Sequence, residues 1–123
     1  MKKKWFSESE FTCSCCGEIF YGGMNPALLR GLNILREEYG YPIYVSSGYR
    51  CEDYNEAIGG ESNSQHIIGN AADIYVDGDY QKFYDLVIKL KLFDGVGYYP
   101  NQEFVHVDCR EYGQNPNYYR WDG

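Results

Sequence analysis

The chain has 123 residues, 44% apolar and 24% charged, with a net charge of −7 and a pI near 4.7. That length suits one compact domain, residues 1–123, with a real core, and is too short for a catalytic domain plus an independent binding module. Phosphate contacts need clustered Lys and Arg, and only Lys2 to Lys4 and the Lys82, Lys89, Lys91 set are basic groupings, so nucleic acid is excluded as the main partner, and the lack of a long apolar run excludes a membrane span.

The start is basic but turns polar by Ser7 to Glu10, without the apolar stretch of a signal peptide. A monomer made in the cytoplasm without export is the expectation. Next come Cys13, Cys15 and Cys16, followed later by Cys51 and Cys109. Five thiols cannot all pair within one chain. Cys13 and Cys16 have the two-residue gap of a zinc knuckle, but no second such pair is present. A disulfide, a structural metal and plain buried thiols all stay open, as does an approach of Cys51 and Cys109 to one another or to the first cluster. No catalytic role is assigned to any of the five.

Asn25 then Pro26 reads as a helix cap and first turn, and Leu28, Leu32, Leu35 and Tyr39 recur at helical spacing until Gly40, which predicts a helix over about 26–39. Residues 42–46 read as a short strand that delivers Tyr49 and Arg50 to a loop. A polar loop from Gly59 to Ser64 runs into His66, and Ala71 to Val76 reads as a strand. Asp79 is placed to cap a second helix, with Phe83, Leu86, Val87 and Leu90 as its apolar stripe. Val96 to Tyr99 and Phe104 to Cys109 read as a hairpin, followed by an irregular aromatic tail ending at Trp121. Helices and strands without regular βαβ alternation predict an α+β domain. The 14 tyrosines supply flat, amphipathic surface suited to sugar or peptide ligands, although packing accounts for most of them.

The two histidines, His66 and His106, both stand in segments that carry acids and, around His66, the small residues Gly69, Ala71 and Ala72. With Asp73 they form the three-ligand set of a catalytic zinc, whose fourth position holds water. Such an ion makes its water acidic, and a carboxylate then takes the proton as the oxygen attacks a carbonyl. Glu103 and Asp108 compete for that task. Strand alternation puts Asp108 on the face of His106 and Glu103 on the other, yet Glu103 follows a turn where alternation need not hold, so spacing leaves the choice open. Arg50 suits the grip of a substrate carboxylate or a developing oxyanion. Ser64 is placed to hydrogen-bond a ligand, and Asp108 to orient His106 from behind. The donor set would accept other divalent first-row ions, with zinc as the default.

These residues resemble a known family, the zinc D-Ala-D-Ala carboxypeptidases and phage L-Ala-D-Glu peptidases, which share a fold with the hedgehog signalling domain. Its Ser-x-His-x-x-Gly-x-Ala-x-Asp motif is matched by Ser64, His66, Gly69, Ala71 and Asp73, and Glu103 precedes His106 by the family's three residues. Ser47-Gly48-Tyr49-Arg50, Asn55 and Gly59-Gly60 also look like this family, and the likeness spans about residues 6 to 121. It implies a central antiparallel sheet flanked by helices, one catalytic zinc, hydrolysis of peptide bonds in peptidoglycan stems, and Glu103 rather than Asp108 as the base. Family members differ in the bond they cut. The small size resembles phage or prophage lysis enzymes, which act on the wall after release from the host cytoplasm. A non-catalytic zinc-containing module that binds peptidoglycan or a protein is the rival reading, and a tail-associated phage component is a third.

Overall fold

The computed structural model describes residues 5–20, 23–60, 64–111 and 119–123. The basic start at Lys2 to Lys4, the middle of the polar loop at 61–63 and the tail at 112–118 lie outside the described residues. Helix α1 runs Pro26–Tyr39. Asn25 accepts the Ala27 N–H at 2.8 Å, Pro26 fills the first turn, where a missing N–H costs no hydrogen bond, and Gly40 ends the helix at φ +82. Its stripe of Leu28, Leu32 and Leu35 is fully buried. Leu32→Ala is therefore expected to cost about 2–5 kcal/mol of unfolding free energy in a urea titration. A loss below about 1 kcal/mol would mean that the site is not close-packed core.

Strand β1 is Tyr44–Ser47, and a short helix α2 spans Glu52–Ala57. Strand β2 is Ala71–Tyr75 and helix α3 is Tyr80–Leu90, capped by Asp79, which accepts the Lys82 N–H at 3.1 Å. On α3, Phe83 and Val87 are fully buried while Leu86 and Leu90 are half-buried. Strands β3 (Gly95–Tyr99) and β4 (Phe104–Asp108) form the expected hairpin. Among the described residues, no helix is long and apolar enough to cross a membrane.

The strands join in one sheet, ordered β1-β2-β4-β3 and then a fifth strand, β5, at Tyr119–Asp122. The four strands β1-β2-β4-β3 pair antiparallel, the central antiparallel sheet of an α+β domain that was expected. One expectation is corrected: the tail is not irregular over 119–122, where β5 joins the edge of the sheet parallel to β3 with Gly97 opposite Trp121. A parallel neighbour needs a long connection, and a four-residue strand paired at such distance leaves no periodic mark on its own sequence.

Alternation along the central strands divides the sheet into two faces. Ala72 and Ile74 of β2 and Val105 and Val107 of β4 join the leucines of α1 and Phe83 and Val87 of α3 in the core. The residues between them, Asp73, His106 and Asp108, project from the opposite face. The N-terminal segment is pinned to the loop leaving β1: the Tyr49 N–H donates to the Phe11 carbonyl at 2.9 Å, and a Cβ at Gly48 would lie 2.6 Å from the Phe11 Cα. Only glycine permits that approach.

Candidate metal centre

β2 and β4 are in register so that Asp73 lies directly opposite His106. His66 enters from the loop before β2, and its backbone N–H is held by the Ser64 hydroxyl at 3.2 Å. The result is a buried convergence. The Asp73 Oδ1 lies 3.2 Å from His66 Nε2 and 3.0 Å from His106 Nδ1. The far nitrogens are also committed: His66 Nδ1 donates to the Gly48 carbonyl at 2.7 Å, and His106 Nε2 donates to the Asp108 Oδ2 at 2.8 Å.

These outer bonds set the tautomers. In neutral imidazoles with protons on His66 Nδ1 and His106 Nε2, the inner nitrogens aim lone pairs at a carboxylate oxygen, with no proton between them. Three acceptors crowded together repel unless a cation sits among them. Two imidazole nitrogens and one carboxylate oxygen, all within 4.8 Å of one another, therefore fit a divalent first-row ion. The electrostatics agree. Burial pushes the Asp73 carboxyl up, but His66 and His106 outweigh it and hold it well below the usual carboxylate range. Burial pulls the His106 imidazole down, yet its bonds to Asp108 and Asp73 raise it above the usual histidine value. The same negative field that attracts a proton there attracts a metal ion.

Arg50 and Asp108 brace this arrangement. The Arg50 guanidinium reaches the second Asp73 oxygen, Oδ2, at 3.1 Å, and is steadied by Ser47 and by the buried Asn55. That leaves Oδ1 for the imidazoles. Asp108 is wholly buried and takes four hydrogen bonds: Oδ1 accepts from the Arg110 backbone N–H and Nε, and Oδ2 from Arg110 Nη2 at 2.7 Å and from His106. Burial raises its carboxyl, but Arg110 and His106 bring it down to about 2.

The donor atoms open into a cavity of about 470 Å³ whose walls include Arg50, Ser64, His66, Asp73 and His106. That volume lies in the range of sites that enclose small ligands or a few peptide residues. Glu103 is not among its walls. It is solvent-exposed just before β4, at φ +61, with its carbonyl accepting the Tyr80 hydroxyl at 2.7 Å. A left-handed residue closing a hairpin loop is a common device, and it takes Glu103 out of the alternation that governs the strand.

Five further walls were not foreseen as site residues: Gln65, Tyr99, Phe104, Arg110 and Trp121. Arg110 carried a usable signal, since Phe104, His106, Asp108 and Arg110 recur every second residue. Trp121 carried none, because β5 alone places it. Its ring lies 5.2 Å from that of His106, its Nε1 donates to the Tyr99 hydroxyl at 2.7 Å, and Gly97 makes the space, since a Cβ there would lie 2.5 Å from that Nε1. Cys109 stands apart from the other thiols, and burial pushes it up to about 12, which marks an inert core thiol.

Residues 4–108 match the Peptidase M15 family, and the chain belongs to it. It is also similar to the peptidoglycan L,D-endopeptidase MepK of Escherichia coli K12, to that of E. coli O157:H7 and to that of Shigella flexneri, each 33% identical over 72 residues. That stretch is 54% of this chain and 40% of each relative, so the match covers well under half of those proteins.

Proposed function

We propose that this chain is a zinc-dependent peptidase that cuts a peptide bond in the stem peptides of bacterial peptidoglycan. The observation that carries the reading is the convergence of His66 Nε2, Asp73 Oδ1 and His106 Nδ1 at the floor of an open cavity. Those three atoms would hold the ion. When bound, it supplies a Lewis acid for a substrate carbonyl and an acidified water. Glu103 would serve as the base that accepts a proton from the attacking water and returns it to the leaving amine as the peptide C–N bond breaks. Glu103 is exposed and does not line the cavity, but catalytic contacts commonly tighten only with substrate bound. Arg50 keeps N–H donors beyond those given to Ser47, Asn55 and Asp73, and these suit the developing oxyanion or a substrate carboxylate. Ser64 holds the His66 loop at the cavity wall and offers its hydroxyl to the peptide.

Two cations, Arg50 and Arg110, line a cavity in a chain of net charge −7. Arg50 is paired with Asp73 and Arg110 with Asp108, so it is their remaining N–H donors that suit a ligand carboxylate, and stem peptides carry free carboxylates. The kinship with MepK supports an L,D bond in preference to the D,D bond of a carboxypeptidase. The test is mass spectrometry of purified stem peptides after incubation with and without a chelator. A chelator-sensitive fragment from an L,D bond is the expected result, and a fragment from a D,D bond would reassign the specificity.

The exposure of Glu103 outside the cavity favours one other reading, a zinc-containing module that binds peptidoglycan or a protein without turnover. Metal at the histidine pair with no fragment from any stem peptide would establish it.

A further inference from the structure

We propose that Cys13, Cys16 and Cys51, with Cys15 closing the fourth position, form a second metal site of tetrahedral thiolate type that takes a soft divalent ion such as zinc and serves structure. It shares no residue with the histidine pair. The sulfurs of Cys13, Cys16 and Cys51 all lie within 4.8 Å of one another, and those of Cys13 and Cys51 are 3.7 Å apart. Zinc–sulfur bonds of about 2.3 Å in a tetrahedron place sulfurs about 3.8 Å apart, whereas a disulfide would hold them at about 2.05 Å. The Cys13–Cys51 spacing is that of a tetrahedral edge, and Cys16 is within reach of both. Cys15 is exposed and its thiol also interacts with Cys51.

The backbone is shaped for the same purpose. Cys13-Ser14-Cys15-Cys16-Gly17 closes as a tight turn in which the Gly17 N–H donates to the Cys13 carbonyl at 2.8 Å and the Cys13 N–H to the Glu18 carbonyl at 2.7 Å. Gly17 at φ +71 gives that turn its left-handed exit. Two sulfurs also receive backbone N–H groups: Cys13 Sγ from Cys51 at 3.4 Å, and Cys51 Sγ from Tyr54 at 3.4 Å. Donors aimed at sulfur favour the thiolate, the form that binds metal. The second segment starts α2 and directly follows Arg50. A metal clip here fastens the N-terminal turn to the loop that presents Arg50 to Asp73, a long closure between residues 13 and 51 of the kind that benefits most from a cross-link. Soft thiolate sets select zinc over calcium or magnesium.

The test is cobalt substitution of the full chain. Cobalt(II) bound to thiolates gives a near-ultraviolet sulfur-to-metal charge-transfer band that an imidazole–carboxylate site lacks. The wild-type protein is expected to show that band and two metal equivalents. Cys16→Ser and Cys51→Ser are expected to lose the band and one equivalent, while His106→Ala keeps the band and loses the other equivalent. Failure of the histidine pair to hold metal would lower the wild-type count to one equivalent and leave the charge-transfer band in place, whereas failure of peptide cleavage alone would change neither. A cobalt-loaded wild-type chain without the band would overturn the thiolate site, whether thiol titration then finds five free cysteines or a Cys13–Cys51 disulfide. The wild-type spectrum does not depend on any variant folding.

Discussion

Asp73→Asn is expected to remove one metal equivalent and to lower kcat/KM on stem peptides by about four orders of magnitude, since a Lewis acid contributes several kcal/mol and each ~1.4 kcal/mol is tenfold in rate. The physical reason lies in the sharing of one carboxylate. Oδ1 faces both imidazoles and Oδ2 faces Arg50. Asparagine keeps the shape and an oxygen for the guanidinium, so Arg50 is not left buried without a partner, but its neutral amide is a poor ligand for a divalent ion. Elemental analysis and initial rates measure the effect, and a thermal melt checks that the fold survives. Retention of the full metal complement at wild-type affinity would show that Asp73 is not a ligand.

The second large effect separates the two acids. Glu103→Gln is expected to lower kcat by roughly 10²- to 10⁴-fold, the usual worth of a general base, with the metal content unchanged. Asp108→Asn is expected to weaken metal binding by about 10- to 100-fold, the scale for a partner that orients a liganding histidine, with activity recovering when metal is supplied in excess. The geometry motivates this division. Asp108 is buried, held to about 2, and accepts from His106 and from three Arg110 donors. An acid so thoroughly engaged has no lone pair for a substrate water and a poor affinity for its proton. Should Asp108→Asn stay inactive at saturating metal while Glu103→Gln keeps most of its rate, the base is Asp108.

Much of this architecture is local in origin, and local features were legible. The bounds of α1 follow from Asn25, Pro26 and Gly40, and the α3 cap from Asp79, because capping and termination act through backbone groups two to four residues away. Helix α2 escaped notice because six residues hold too little periodicity to register. The motif from Ser64 to Asp73 and the spacing to His106 nominated three residues that the structure does bring together, and period two placed Asp108 behind His106. Period two also put Glu103 on the far face, but the left-handed turn at that residue removed it from the strand's alternation altogether.

What the sequence determined by itself is the set of segments: where helices start and stop, which strand faces are apolar, and which side chains carry imidazole, carboxylate or thiol. Only the tertiary structure decided which of them meet. The register of β2 against β4 set Asp73 opposite His106, the parallel pairing of β5 brought Trp121 across Gly97 onto the His106 ring, and the docking of the N-terminal turn set Cys13 beside Cys51 rather than beside Cys109. Each is a contact between residues far apart in the chain, and its geometry is fixed by how buried faces pack together, even where, as for Asp73 and His106, a motif names the residues involved.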